Sequence, residues 1–209
     1  MKMKRIYFYI ERKKIMAKKN GRNTKGRIIV AAWKLFYEQG YDDTTIEEII
    51  DESQTSKGSF YHYFAGKDAL LSSLSYMFDE KYEELLPTID ENMHSFDKLM
   101  YLNHELFLMI ENSISLDLLA KLYSSQLITK SEKHLLDHNR IYYKLLRNIF
   151  SDGQKKGEIT KDLSVNELVK VYAMCERAFL YDWCLSNGEY SLTKYVDEMF
   201  PIFLGKFRV

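Results

Sequence analysis

Residues 24–71 read TKGRIIVAAWKLFYEQGYDDTTIEEIIDESQTSKGSFYHYFAGKDALL. Apolar side chains at helical spacing predict a helix over residues 24–39, which Gly40 ends. Thr44 and Thr45 are each followed three residues later by a glutamate, which predicts a second helix running to about residue 52. After a break at residues 53–54, Thr55 or Ser56 begins a brief third helix that ends near residue 64. Two short helices joined by a tight turn, behind a longer helix, form a helix-turn-helix pattern.

The start of the predicted third helix carries small polar side chains, a cation and a glycine. Such a helix end can approach base edges or phosphates closely, and it carries the positive end of the helix dipole. Hydroxyl and ring N–H donors at residues 61–63 suit phosphate oxygens, as does a lysine that begins the next helix. The predicted DNA contacts are Arg22, Lys25, Arg27, Thr45, Ser56, Lys57, Gly58, Ser59, Tyr61, His62, Tyr63 and Lys67.

Residues 24–71 closely resemble the DNA-binding domain of the tetracycline-repressor (TetR) family. The resemblance rests on Gly-Tyr at 40–41, Thr-Thr at 44–45, Lys-Gly at 57–58, Tyr-x-x-Phe at 61–64 and Lys-x-x-Leu at 67–70. The family's usual Ala-Gly-Val at the turn is replaced here by Ser53-Gln54-Thr55. Glycine commonly supplies a positive φ at such a turn, so Gln54 must either tolerate that conformation or adjust the turn.

Charge is unevenly distributed along the chain. The net charge is zero, yet residues 1–27 contain eleven lysines and arginines and one acidic residue. A basic arm on an acidic body is expected for an arm that meets a polyanion, and a solvated, disordered tail is the alternative. We expect the arm to span residues 1–21, with residues 1–15 a mis-called extension before Met16. No signal peptide or membrane span is predicted, which favours a cytoplasmic, nucleoid-associated protein.

The remaining chain also has helical spacing of its apolar residues. The predicted helices span residues 67–86, stopped by Pro87, and then 95–111, 115–129, 131–155, 164–186 and 192–206. The predicted fold is all-α with about nine helices. We expect a DNA-binding domain at residues 22–68 and a helical ligand-binding and dimerisation domain at residues 69–209.

The resemblance also implies roles for the C-terminal helices. In TetR relatives the last two helices pair with those of a second subunit, which implies a homodimer. The interface candidates are Phe179, Leu180, Trp183, Tyr195, Met199 and Phe203, with a place in the protomer core as the alternative for each. Relatives also bind a small ligand in a mostly apolar pocket. The pocket candidates are Tyr101, His104, Tyr123, Tyr142, Tyr172, Glu176 and Trp183, each of which also suits an ordinary core position.

The predicted function is a non-enzymatic, DNA-binding transcriptional regulator. We expect a repressor that a small-molecule ligand releases from a palindromic operator, with no cofactor. The alternative is a DNA-bound interaction protein that acts through a protein partner in chromosome organisation, without a small ligand. A metal-dependent enzyme built on His134 and His138, spaced i, i+4, is a third hypothesis. No third ligand can be named for it, so the prediction is no metal.

Overall fold

The computed structural model describes residues 24–128 and 133–209. The α-helices are α1 (Thr24–Glu38), α2 (Ile46–Ser53), α3 (Lys57–Tyr63), α4 (Lys67–Leu71), α5 (Leu74–Leu85), α6 (Ser95–Ser113), α7 (Leu116–Ile128), α8 (Ile141–Lys156), α9 (Val165–Leu185) and α10 (Leu192–Leu204). Short 3₁₀ helices lie at Leu86–Thr88, His134–Leu136 and Gly205–Phe207. The all-α prediction is confirmed. These described residues contain ten α-helices, or nine if α4 and α5 are taken as one interrupted helix.

The described residues form two compact units. The first contains residues 24–74 and 112–128, and the second contains residues 75–111 and 133–209. The predicted boundary between residues 68 and 69 stays a prediction. No described helix is long and apolar enough to span a bilayer.

Buried side chains of α1, α2 and α3 form the core of the first unit. Trp33, Ile49 and Phe60 are almost wholly enclosed. Phe60, Phe64 and Ile49 are buried, whereas Ile46 and Ile50 are only half-buried. Within the same unit, α4 packs against α7. A small three-helix domain thus has the enclosed apolar residues that it needs to fold.

The second unit is held together by packing of α9 on α8 and on α10. Tyr172, Phe150 and Phe200 are enclosed among the buried side chains of these helices. The chain approaches itself closely at Gly153 on α8, where an added Cβ would lie 2.4 Å from the Ile159 side chain and 2.8 Å from Ser95 Cβ. A larger residue at this position would force neighbouring groups apart.

The predicted single helix over residues 67–86 is wrong. It is interrupted at Ser72 and Ser73, between α4 and α5. The Ser73 hydroxyl donates to the Leu70 carbonyl oxygen and accepts the indole N–H of Trp33 at 2.7 Å. A contact from a distant part of the chain therefore accompanies the break, which no proline or glycine marks.

The predicted helix over residues 131–155 begins later than expected. Residues 131 and 132 lie outside the described part of the chain, and α8 begins only at Ile141. The Asn139 amide donates to the Asp137 carboxylate, a local turn that competes with helix. His134 and His138 therefore do not share an α-helical face. Among the described residues no group of three His, Cys, Asp or Glu side chains is arranged to hold a metal ion.

Candidate DNA-binding and ligand-binding sites

The turn between α2 and α3 has the helix-turn-helix geometry that the sequence predicts. Gln54 adopts the left-handed conformation at φ 51° and ψ 47°, so it tolerates the positive φ. The α3 helix then begins after Ser56, whose hydroxyl accepts the Ser59 amide at 3.1 Å. Phe60 anchors α3 in the core with 0% of its surface exposed. The orientation of α3 is thus fixed by one cap and one buried ring.

The opposite side of α3 is open to solvent. The side chains of Tyr61 and Tyr63 are 48% and 42% exposed, and His62 is also exposed. The Lys57 ammonium lies 3.3 Å from the Glu47 carboxylate on α2, and both side chains are about two-thirds exposed. An exposed pair of this kind is weak and salt-screened, so Lys57 can exchange Glu47 for another anion. The hydrogen-bond donors predicted on α3 are therefore exposed to solvent.

Four other predicted DNA contacts bond within the first unit. The Lys67 ammonium donates to the carbonyl oxygens of Tyr41, at 2.6 Å, and of Thr44, at 2.7 Å. Arg27 donates to the carbonyl oxygens of Ser53 and Gln54. Lys25 lies 6.0 Å from the ring centroid of Phe64. The Thr45 hydroxyl donates to Glu48 at 2.8 Å and accepts the Glu48 amide, which forms a capping box. These side chains stabilise the unit, and their contact with DNA stays a prediction, as it does for Arg22, which lies outside the described residues.

The second unit encloses a polar cluster that we name the Glu176 cluster: Tyr82, Asn103, Tyr142, Tyr172 and Glu176. It draws on α5, α6, α8 and α9. The Glu176 carboxylate accepts the Asn103 side-chain amide at 2.9 Å and a short hydrogen bond from the Tyr142 hydroxyl. The Tyr172 hydroxyl donates to the Leu99 carbonyl oxygen at 2.8 Å. The Tyr82 and Tyr142 rings pack with centroids 5.3 Å apart.

Burial shifts the titration of this cluster. It raises the pKa of the Glu176 carboxyl group, and the hydrogen bonds from Tyr142 and Asn103 only partly oppose this effect. Burial, followed by the nearby Glu176 charge, raises the pKa of Tyr82 and of Tyr142 well above the ordinary value. Within residues 24–128 and 133–209, no salt bridge involves Glu176. The cluster is therefore a low-dielectric polar site in an otherwise apolar core.

The structure brings together three of the predicted pocket residues, Tyr142, Tyr172 and Glu176, whereas Tyr101 and His104 have other partners. Tyr101 contacts the Thr88 hydroxyl at 3.2 Å. The His104 imidazole lies 2.9 Å from the Asp197 carboxylate at a half-exposed position. Their assignment as ligand contacts stays a prediction.

The remaining two predicted pocket residues are Trp183 and Tyr123. Trp183 donates its indole N–H to the Tyr190 carbonyl oxygen at 3.0 Å. Tyr123 belongs to the first unit. Sequence reasoning did not assign Tyr82 and Asn103 to a site, because helical spacing does not indicate which polar side chains from distant helices meet.

The predicted interface residues divide into two groups. Phe179, Leu180 and Trp183 are buried within the chain, with at most 9% of their surface exposed, which agrees with the alternative of a core position. Tyr195 and Phe203 are 42% and 66% exposed, and Met199 is half-buried.

Other apolar side chains on the same two helices are exposed, and we name this surface the α9–α10 face. Its members, with Tyr195 and Phe203, are Val171, Met174, Tyr181, Leu185 and Ile202. On α9 they recur at intervals of three, seven and four residues, a helical stripe that a search of the sequence for one-sided spacing could have found. An apolar stripe on the surface of a protomer is typical of an interaction site.

The architecture defines a helix-turn-helix protein with a separate helical bundle, and comparison with known families makes it more specific. Residues 28–74 match the family described as "Bacterial regulatory proteins, tetR family". Residues 78–206 match the family described as "YsiA-like protein, C-terminal region". The chain belongs to the tetR family of bacterial regulatory proteins, with a YsiA-like C-terminal region. The predicted family is confirmed, and its description makes this chain a bacterial regulatory protein.

Individual relatives agree with this membership. The HTH-type transcriptional regulator HbdR of Aromatoleum sp. is 28% identical over 82% of this chain and 75% of its own length. The uncharacterized HTH-type transcriptional regulator YuxN of Bacillus subtilis is 47% identical over 28% of this chain. The chain spans only 21% of the length of YuxN and 24% of a second such regulator, from Lactococcus lactis.

Solved structures share the fold. The Thermus thermophilus repressor FadR in complex with lauroyl-CoA superposes with a TM-score of 0.69 at 21% identity, covering 88% of this chain and 94% of that one. Bacillus subtilis FadR in complex with stearoyl-CoA gives a TM-score of 0.64 at 22% identity, covering 87% and 98%. At these identities the likeness defines the fold.

Proposed function

We propose that this tetR-family regulator is a homodimeric repressor that binds a palindromic operator and leaves it when a small molecule binds the second unit. The observation that carries the proposal is the exposed side of α3, where Lys57, Tyr61, His62 and Tyr63 stand clear of a buried Phe60. A recognition helix held in this way can enter a major groove and contact phosphates at its edges. The proposed role is non-enzymatic, cytoplasmic and nucleoid-associated.

For the effector we propose a long-chain acyl thioester of coenzyme A. The support is the shared fold, since the Thermus and Bacillus FadR structures carry lauroyl-CoA and stearoyl-CoA. The second unit has a mostly apolar interior with few polar groups, which is the lining that an acyl chain favours. A ligand can release the operator only if it binds the DNA-incompetent state more tightly, and the coupling must be reciprocal. A hundredfold loss of operator affinity requires about 2.7 kcal/mol of differential ligand binding.

The test begins with genome-wide binding of the intact chain, which identifies an operator, and continues with gel shifts on that DNA at several salt concentrations. Lys57→Ala is expected to weaken operator binding and to lower the slope of log K against log salt by about one unit. Tyr61→Phe is expected to weaken binding about fivefold, because one hydrogen bond is lost. Lys161→Ala removes an exposed lysine that precedes α9 and is the matched control, which should bind like wild type.

Two further results separate the proposal from its alternative. Lauroyl-CoA should release the wild-type protein from its operator, and the operator should in turn weaken lauroyl-CoA binding by the same factor. Many dispersed sites with ligand-insensitive binding would instead indicate a DNA-bound interaction protein. Wild-type affinity in both α3 variants would mean that α3 does not read the operator.

A further inference from the structure

The Tyr82 hydroxyl is a buried polar group with an unmet hydrogen bond. Its side chain lies on α5 with 1% of the residue surface exposed. The hydroxyl has no hydrogen-bond partner among the described residues. A buried group left unpaired in this way destabilises a fold, and native proteins contain few of them. Tyr82 therefore requires an explanation other than packing.

The Tyr82 side chain is positioned by contacts between α5 and the start of α8. One turn earlier on α5, the Asp79 carboxylate accepts two hydrogen bonds from Arg140, at 3.0 and 2.9 Å. Arg140 also donates to the Ser75 carbonyl oxygen at 3.0 Å. This pair is almost fully buried, so it fixes α5 against the start of α8. The Tyr142 ring packs against Tyr82 from the same end of α8. Tyr82 is thus positioned in advance of any partner.

The hydroxyl hydrogens of the neighbouring tyrosines are already used. The Tyr142 hydroxyl and the Asn103 amide donate to Glu176, and the Tyr172 hydroxyl donates to a backbone carbonyl oxygen of α6. Tyr82 has a hydrogen to donate and lacks an acceptor. The missing group is therefore an oxygen acceptor that enters from outside the described chain.

The surroundings also select the charge of that acceptor. Tyr82 and Glu176 are only 1% and 4% exposed, and burial raises the pKa of both groups, so this interior disfavours a negative charge. The cation that acts on Tyr82, Arg140, is already paired with Asp79. A carboxylate or phosphate beside Tyr82 would therefore lose its hydration without gaining a free cation, which is costly. A carbonyl oxygen is neutral and accepts a hydrogen bond without that cost. The site therefore favours an uncharged carbonyl over an anion.

We propose that the Tyr82 hydroxyl is the specificity contact for the effector and donates its hydrogen to the thioester carbonyl oxygen of a long-chain acyl-CoA. This inference rests on the proposed function for its ligand class. It adds the atom that recognises the thioester and the reason that the free fatty acid is rejected. Tyr142 is a positioning residue, because its ring packs against Tyr82 and its hydroxyl donates to Glu176.

The test pairs one substitution with one ligand change. Lauroyl-CoA carries the carbonyl oxygen, and S-dodecyl-coenzyme A, the thioether of equal chain length, lacks it. We expect wild type to bind lauroyl-CoA about five- to tenfold more tightly than the thioether, from one net hydrogen bond. Tyr82→Phe should lose this preference by weakening lauroyl-CoA alone, and laurate should bind poorly to both proteins. Equal preference in the two proteins, or no binding of lauroyl-CoA to wild type, would overturn the proposal.

Thermal unfolding without ligand provides the second readout. Tyr82→Phe removes an unpaired hydroxyl, so it should melt at the same temperature as wild type or higher. The matched control, Tyr142→Phe, removes a donor to Glu176 and should melt several degrees lower, about 4 °C or more. If a resident water satisfied Tyr82, Tyr82→Phe would also melt lower, and that result contradicts the proposal.

Gel shifts separate this inference from the proposed function. Ligand-free Tyr82→Phe should bind the operator like wild type, but lauroyl-CoA should release it only at five- to tenfold higher concentration. Release at the wild-type concentration of lauroyl-CoA would overturn the role of Tyr82 but would not contradict the proposed repressor function. If wild type failed to bind any operator, the proposed function would fall, whereas the comparison of the two ligands would still decide the role of Tyr82.

Discussion

Glu176 is an acidic side chain that the fold encloses without a salt bridge among the described residues. Burial raises the pKa of its carboxyl group above the ordinary value of 4.5. The folded protein therefore keeps a proton at pH values where the unfolded chain has lost it. Since the folded state then binds more protons than the unfolded state, the free energy of unfolding decreases as pH rises from about 4.5 through the raised pKa.

We predict that Glu176→Gln removes this pH dependence. Between pH 5 and 8 the free energy of unfolding of wild type should fall relative to the variant, by up to about 1.4 kcal/mol per pH unit inside the titration window. Carboxyl groups whose pKa is lowered, such as Glu111, titrate below this range and cancel in the difference. Urea denaturation of both proteins at four pH values provides the measurement. Parallel profiles would mean that the carboxyl group has the same pKa in both states.

The backbone conformation of Gln54 leads to a second prediction about stability. A side chain at φ 51° is strained by about 1–2 kcal/mol, whereas glycine is not, although glycine is more flexible in the unfolded chain. We expect Gln54→Gly to raise the free energy of unfolding by about 0.5 kcal/mol, and Gln54→Val to lower it by more than that, because a β-branched side chain fits this conformation poorly. Urea denaturation measures both variants. A stabilising valine would contradict the left-handed turn.

At the scale of helices, capping explains why most boundaries were predictable. Thr45 with Glu48 and Ser164 with Glu167 form capping boxes at the starts of α2 and α9, where the sequence placed helix starts. These signals are local in sequence, so they can be found without the fold. The break at Ser73 is accompanied instead by a hydrogen bond from Trp33, forty residues away. No local pattern contains that information.

The candidate sites were also predictable only where their residues are close together in the sequence. The exposed end of α3 was predictable, because seven contiguous residues supply both its buried anchor and its exposed donors. The Glu176 cluster was predictable only in part, since its members come from four helices. Tyr82 was not predictable at all. Tyr82 is notable because its hydroxyl lacks a hydrogen-bond partner. This absence can be recognised only when the positions of all neighbouring side chains are known.

The cap of α2 leads to a prediction about DNA binding. The Thr45 hydroxyl already forms two hydrogen bonds with Glu48, so it can contact a DNA phosphate only while it also caps α2. Thr45→Asp keeps an acceptor for the Glu48 amide and adds a negative charge, but it loses the hydroxyl that donates to the Glu48 carboxylate. We expect Thr45→Asp and Thr45→Ala each to lower the free energy of unfolding by about 1 kcal/mol, so the two variants are matched in stability. If Thr45 lies beside DNA, gel shifts should show weaker operator binding for Thr45→Asp than for Thr45→Ala. Equal binding by the two variants would place Thr45 away from the phosphates.

At the scale of the whole molecule, the α9–α10 face remains exposed in the single chain. Ile202 and Phe203 on α10 are 71% and 66% exposed, and Leu185 on α9 is 63% exposed. A palindromic operator requires two reading helices about 34–36 Å apart, which only a dimer provides. Covering this apolar face with the same face of a second copy gives a closed, two-fold interface.

The last prediction is that Phe203→Arg converts a dimer to a monomer without unfolding it. The side chain is mostly exposed in the protomer, so a charge there is tolerated in the monomer but lies unpaired in the buried interface. Phe179→Arg is a poor test, because Phe179 packs against Phe200 and Phe203 and its replacement would unfold the chain. Sedimentation should show a wild-type dimer and a Phe203→Arg monomer at micromolar concentration. Operator affinity should fall at least about a hundredfold, because two linked half-site contacts become independent. Leu127→Arg, at a 71% exposed position on α7, is the matched control and should remain dimeric. A dimeric Phe203→Arg protein with full operator affinity would place the interface elsewhere.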